Sequence, residues 1–130
     1  MNRILDVDYN RENPVELNED VVEYGVVFFS SLANASRFRM VELLMAGEKT
    51  VGDIASALSI SQPSASHHLA ILGRAGVLTV TPKGVARYYR LRGPRIAMIV
   101  MLLAEFRQIH REAMAADDVA LVGAQGRQTS

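Results

Sequence analysis

Two short helical segments separated by a tight turn constrain this chain more than any other feature. The first opens in the string TVGD, where the Thr50 hydroxyl can accept from the amide of Asp53 in a capping box. The second opens after Ser61, a good N-cap, and carries Pro63 in its first turn, where a missing N–H costs little. Helices joined this closely are typical of a helix-turn-helix.

Two further helices are predicted before this pair. Asn18 is a good N-cap for the first of them, whose apolar residues lie on more than one face. Asn34 or Ser36 starts the second, and Gly47 stops it. A helix as apolar as the first usually packs against another subunit, so we expect it to contribute to a dimer interface.

The periodicity changes after the helix-turn-helix. Apolar and polar residues alternate over residues 77–82 and 85–91, which predicts a β-hairpin joined at Lys83-Gly84. Gly93-Pro94 then opens a last helix over about residues 95–116, with an apolar stripe that can join the first helix in a dimer. The predicted fold is mainly α with a small β-hairpin, a winged helix-turn-helix in the order α-α-α-α-β-β-α.

At 130 residues, the chain is expected to form one domain. We predict an acidic N-terminal arm over residues 1–14, a winged helix-turn-helix domain with the dimerisation helices over residues 15–118, and a C-terminal tail over residues 119–130. The apolar run at residues 96–104 is far shorter than the roughly 20 residues that span a bilayer. We therefore expect a cytoplasmic protein with no membrane association.

Charge is segregated along the chain although the net charge is zero. Residues 1–30 carry two basic and seven acidic side chains, whereas residues 31–95 carry nine basic and three acidic ones. Six cations and no acid lie between Arg74 and Arg95. This pattern favours attraction to phosphate, with a merely solvated charged face as the alternative.

The faces of the fourth helix decide what its serines and histidines can do. A step of about 100° per residue places Ala65, His68, Leu69 and Leu72 on one side, and Ser66, His67, Ala70 and Arg74 on the other. The adjacent histidines diverge, and no third ligand stands three or four residues away, so they do not form a metal site. We expect His68 to pack inward with a hydrogen-bonded ring and His67 to be exposed.

The outward side of this helix suits a major groove. Its side chains are small and form hydrogen bonds, and only in the major groove do base edges give a distinguishable pattern. Basic residues on the hairpin suit backbone contacts. The predicted DNA-binding residues are Gln62, Ser64, Ser66, His67, Arg74, Lys83 and Arg87. No paired acids, activated nucleophile or phosphate loop is evident, so we expect neither an enzyme nor a cofactor.

Three strings resemble the ArsR/SmtB winged-helix repressors: SLANASRFRMVELL, SQPSASHHLAILGRAGVL and GVARYYRL. The resemblance covers about residues 20–110. It implies a homodimer that binds an imperfect inverted repeat in double-stranded DNA and blocks transcription until a signal releases it.

The sequence departs from the metal-sensing members of that family. Thr50 and Gly52 occupy the positions that the resemblance assigns to a cysteine pair, and the chain has no cysteine. Val85 occupies a wing position where relatives often have arginine. The resemblance therefore implies a metal-independent repressor, since its second metal site corresponds to Gly93, Arg95, Phe106 and Ile109.

Two alternatives remain open from the sequence. A small organic effector could bind between the first and last helices, with Met98, Met101 and Phe106 as candidate lining. Alternatively, the winged helix could be a protein-interaction module that uses the arm, whose acidic residues are Asp6, Asp8, Glu12 and Glu16.

Overall fold

The computed structural model describes residues 17–128 of the chain and the side chains of residues 17–123. The arm predicted for residues 1–14 lies outside the described residues. Within them, the elements in chain order are α1 (Glu19–Leu32), α2 (Ala35–Met45), β1 (Lys49–Thr50), α3 (Val51–Leu58), α4 (Gln62–Arg74), β2 (Leu78–Lys83), β3 (Ala86–Leu91) and α5 (Pro94–Gln128). The predicted winged helix-turn-helix is confirmed.

Side-chain caps start four of the helices where the sequence predicts them. Asn18, Asn34, Thr50 and Ser61 each accept a hydrogen bond from the amide three residues further on. At α3 the capping box is reciprocal, because the Asp53 carboxylate accepts from the Thr50 amide at 3.3 Å. Each cap satisfies an amide that would otherwise lack a partner, so these helix starts are determined by local chemistry.

The turn between α3 and α4 depends on an unusual backbone conformation. Ser59 adopts the left-handed region, with φ 55° and ψ 43°. This conformation reverses the chain at once, and the Ile60 amide donates to the Ala55 carbonyl at 3.0 Å. The two helices of the helix-turn-helix are thereby joined by three residues outside the helices, 59–61.

The sheet has one strand more than the sequence predicts. β3 is its centre, paired antiparallel with β2 and with β1. In β1, Lys49 pairs with Tyr89 and Thr50 with Tyr88. Two residues are too few for an alternating pattern, so only the fold, which brings the end of α2 beside the hairpin, reveals this strand.

The hairpin turn is displaced by one residue from its predicted position. Lys83 pairs with Ala86, so the turn residues are Gly84 and Val85 rather than Lys83 and Gly84. Gly84 has φ 63°, a conformation that glycine adopts without steric cost.

The predicted end of the last helix near residue 116 is wrong. α5 continues to Gln128 through most of the segment interpreted as a tail. The prediction relied on fading apolar periodicity. However, no proline follows Pro94 and alanine recurs through this part of the chain, so intrinsic helix propensity persists.

The buried core lies among α2, α3, α4 and the start of the hairpin. α1 adds mainly Phe28 to it and leaves most of its other apolar residues exposed. The largest fully buried side chains are those of Met40, Ile54, Leu69, Leu72, Val41 and Val77. This core holds α4 by one side, which fixes the direction in which its other side points.

Candidate nucleic-acid interface

Helix α4 has the two faces that its sequence predicts. Ala65, Leu69 and Leu72 are buried, with at most 1% of each side chain's surface exposed. The outer face, defined by Ser66, His67, Ala70 and Arg74, is exposed at all four residues. An exposed helix face of small and polar side chains can approach another molecule closely.

The two predicted groove residues in the first turn of α4, Gln62 and Ser64, differ in exposure. Ser64 is half-buried, and its amide donates to the Ser61 hydroxyl at 3.2 Å. Gln62 is exposed, but its side-chain nitrogen lies 3.6 Å from the position that a Cβ on Gly52 would occupy. The Gln62 side chain therefore lies near the start of α3 while remaining exposed.

The two histidines lie in different environments, as predicted. His67 is exposed and His68 is half-buried, and their ring centroids are 5.9 Å apart. A guanidinium nitrogen of Arg37 lies 3.2 Å from Nδ1 of His68. Burial lowers the pKa of His68 below its ordinary value of 6.5, and the positive charges of Arg37 and His67 lower it further. The predicted hydrogen-bonded, inward ring is confirmed.

The sequence did not identify Arg37 as the partner of this histidine. The two residues are 31 positions apart and belong to different helices. The Nε of Arg37 also donates to the Ser31 carbonyl at 2.6 Å, so this one side chain joins α1, α2 and α4.

The wing presents its two predicted cations differently. The Lys83 ammonium forms an ion pair with Glu48 at 2.5 Å and lies 5.1 Å from the centre of the Tyr88 ring. Arg87 is exposed on β3 opposite Pro82. Arg87 is therefore free of the partner that the Lys83 ammonium has in Glu48, and its charge is open to a phosphate.

A groove between α4 and the hairpin adds residues that the sequence analysis missed. Its walls include Ser66 and Arg74 from α4, Thr79 from β2, and Arg92 just after β3. Of its lining residues none is acidic. The run of cations from Arg74 to Arg95 was the available signal, but only the fold places Arg92 beside the outer face.

An apolar cavity of about 360 Å³ lies between α1, α2 and α5. Phe29, Phe38 and Phe106 line it. Of the three residues predicted for an effector space, Phe106 lines this cavity, whereas Met98 and Met101 do not. Around it, α1 and α5 expose many large apolar side chains, among them Val26, Phe29, Leu103, Phe106 and Ile109.

Among the described residues, no group of three or more histidine, cysteine, aspartate or glutamate side chains is placed to hold a metal ion. Over the same part of the chain, no helix is both long and apolar enough to cross a bilayer.

The helix-turn-helix, the exposed face of its second helix and the adjoining three-stranded wing define a winged helix-turn-helix DNA-binding protein. Residues 34–80 match the family model described as "Bacterial regulatory protein, arsR family". An uncharacterized helix-turn-helix-type transcriptional regulator of Mycobacterium tuberculosis, Rv0081, is 31% identical over 106 residues, which are 81% of this chain and 90% of that protein. The chain belongs to the ArsR family of DNA-binding transcriptional regulators, not to a family of enzymes.

Other relatives agree with this assignment. The transcriptional repressor SdpR of Bacillus subtilis is 43% identical over 63 residues, or 48% of this chain and 70% of SdpR. The solution structure of a homodimeric winged helix-turn-helix domain of Mb0332 from Mycobacterium bovis superimposes with a TM-score of 0.68 at 28% identity. That match covers 72% of this chain and 86% of the M. bovis fragment.

Proposed function

We propose that this protein is a homodimeric, metal-independent repressor that binds an inverted-repeat operator through the outer face of α4. The proposal rests on the two distinct faces of α4. Ala65, Leu69 and Leu72 anchor one side in the core, while Ser66 and His67 are exposed on the other. A rigidly held helix with a small, polar outer face meets the steric and hydrogen-bonding needs of major-groove recognition.

The residue roles follow from position and charge. Gln62, Ser66 and His67 read base edges, with Ser64 near the helix start as a further groove contact. Phosphates are contacted by the cations Arg74, Lys83 and Arg87. Such phosphate contacts position a protein on DNA, while base contacts give sequence preference.

Dimerisation supplies the symmetry of the operator. The exposed apolar residues of α1 and α5 favour burial against a second copy, as does the homodimer formed by the M. bovis relative. In a two-fold dimer the two α4 helices enter successive major grooves, with half-sites about 10 bp apart. A repressor that occupies such a site blocks transcription by its presence, in keeping with SdpR, which is named a repressor.

Metal independence is supported by the lack of cysteine and by the use of Thr50 as a helix cap. The Thr50 hydroxyl is occupied by the Asp53 amide at 3.2 Å, so this position serves the fold of α3. Adding zinc, cadmium or arsenite to a protein–DNA complex should leave its dissociation constant unchanged.

The test begins with selection of bound sequences from a random DNA pool. The selected operator and a mismatched one are then titrated with Ser66→Ala, His67→Ala and, as a matched control remote from α4, His110→Ala. Each α4 variant should lose about 1–3 kcal/mol of discrimination per missing base contact, while His110→Ala should behave as the parent. If both α4 variants discriminate as well as the parent, the groove assignment is wrong.

A second candidate, release by a small organic effector, is favoured by the apolar cavity lined by Phe29, Phe38 and Phe106. Its volume of about 360 Å³ is within the range of small-ligand pockets. A thermal-shift screen of apolar metabolites, followed by DNA release assays, distinguishes an effector-controlled repressor from a constitutive one. The protein-interaction alternative rests on acidic residues outside the described part of the chain and stays a prediction.

A further inference from the structure

Arg37 connects the dimer-forming part of the molecule to α4. It lies in the first turn of α2, and its Nε donates to the carbonyl of Ser31 at 2.6 Å. Ser31 is buried near the end of α1, and its hydroxyl donates to the Phe28 carbonyl at 2.6 Å. The other end of the same guanidinium reaches Nδ1 of His68 at 3.2 Å.

The chemistry of this contact fixes the state of the histidine. A guanidinium has only N–H donors, so Nδ1 of His68 must accept and the ring must be neutral, with its proton on Nε2. A protonated ring would turn an N–H toward the Arg37 donors and bring two positive charges together. The lowered pKa of His68, caused by burial and then by Arg37 and His67, agrees with the neutral form.

The surroundings of His68 offer little to stabilise a positive ring. α1 contributes the Ser31 carbonyl, which already accepts from Arg37. On two other elements that pack against α4, the α3 carboxylate of Asp53 is held in its capping box and Lys83 of β2 is paired with Glu48. The groups of α2 and α4 that act on His68 by charge are Arg37 and His67, and both lower its pKa.

We infer that Arg37 is a positioning residue for DNA recognition: by donating to neutral His68 it holds α4 against the end of α1, and DNA binding weakens when His68 is protonated. The inference rests on the proposed function. His67, on the outer face, is the next residue along α4, so a movement of His68 away from Arg37 also moves a residue that reads bases. The contact also sets the orientation of α4 relative to α1, and hence the spacing of the two α4 helices in a dimer.

The test measures the dissociation constant for the selected operator at pH 7.5 and pH 5.5 at constant salt. The parent should lose affinity by about fivefold or more on acidification, the usual size of a coupling between two sites. His68→Gln, whose amide oxygen can accept from Arg37 but cannot titrate, should bind as the parent does at pH 7.5 and lose this pH dependence. His110→Gln, a matched control on α5 that is remote from α4, should retain it.

Arg37→Lys separates positioning from general stability. Lysine is a point donor and cannot make both contacts of the guanidinium fork. Arg37→Lys should therefore bind the operator less tightly at pH 7.5, and its affinity should depend less on pH. Its circular dichroism spectrum should stay that of the parent. Long-range ¹H–¹⁵N spectra of the parent should identify the Nε2–H tautomer of His68 above pH 7. A pH dependence that persists in His68→Gln, or an Nδ1–H tautomer, overturns the inference. If the parent selects no DNA at either pH, the proposed function itself fails.

Discussion

Replacing Phe29 with alanine should dissociate the proposed homodimer without unfolding the single chain. Phe29 is 62% exposed in the single chain and lines the apolar cavity together with Phe106. Its ring approaches that of the core residue Phe28 edge-on, with ring centroids 5.5 Å apart. The side chain therefore contributes little to the fold of one chain and has much surface left for a partner to cover.

The magnitude follows from that exposed surface. A large aromatic side chain buries about 150–250 Å² when fully covered, so the 62% that is exposed leaves roughly 100 Å² per chain. At about 25 cal/mol per Å² this is about 2.5 kcal/mol. In a two-fold interface the loss occurs twice, about 5 kcal/mol as an upper bound. Even half of that would raise the dimer dissociation constant about sixtyfold.

Sedimentation velocity across a concentration series measures this constant. Val85→Ala is the control, because Val85 is 109% exposed but lies at the turn of the wing. At concentrations where both proteins are monomeric, the melting temperature of Phe29→Ala should stay within a few degrees of that of the parent. A dimer dissociation constant that changes less than about threefold would refute the assignment of the α1 surface to the interface.

Three further predictions concern the wing, the turn and pH. Arg87→Ala should weaken binding to all sequences alike and lower the salt slope of log K by about 1, as salt titrations of matched and mismatched DNA can measure. Ser59→Gly should raise the free energy of unfolding by about 0.5–1 kcal/mol, because glycine adopts the left-handed conformation without strain. The control Ser56→Gly, within α3, should lower the free energy of unfolding. Urea denaturation measures both changes. The folded-state pKa of His68 is lowered from 6.5, so the unfolded chain binds more protons than the folded one below that pH. The free energy of unfolding should therefore fall as the pH drops from 7.5 to 5.5. It should fall less in His68→Gln. An equal loss in both proteins would contradict the last prediction.

The sequence was most informative where structure depends on neighbouring residues. Asn18, Asn34, Thr50 and Ser61 cap the helices as predicted, because a cap needs only a side-chain oxygen and an amide three residues away. The two faces of α4 also follow from spacing alone, since a buried stripe at helical intervals determines which residues point outward.

The sequence was least informative where residues far apart in the chain meet. β1 exists because Lys49 reaches Tyr89, and the ion pair between Glu48 and Lys83 joins residues 35 positions apart. Neither leaves a periodic signal. Similarly, the groove that adds Arg92 to the candidate interface forms only when the hairpin packs beside α4.

Chemical-shift mapping is the most direct test of recognition by α4. Amide spectra of ¹⁵N-labelled protein should be recorded during titration with the selected operator and, separately, with a scrambled duplex of the same composition. The operator should bind two chains per duplex, and the changes specific to it should be largest over residues 62–67. Specific changes confined to α5 or to the wing, or a ratio of one chain per inverted repeat, would contradict recognition by a symmetrical pair of α4 helices.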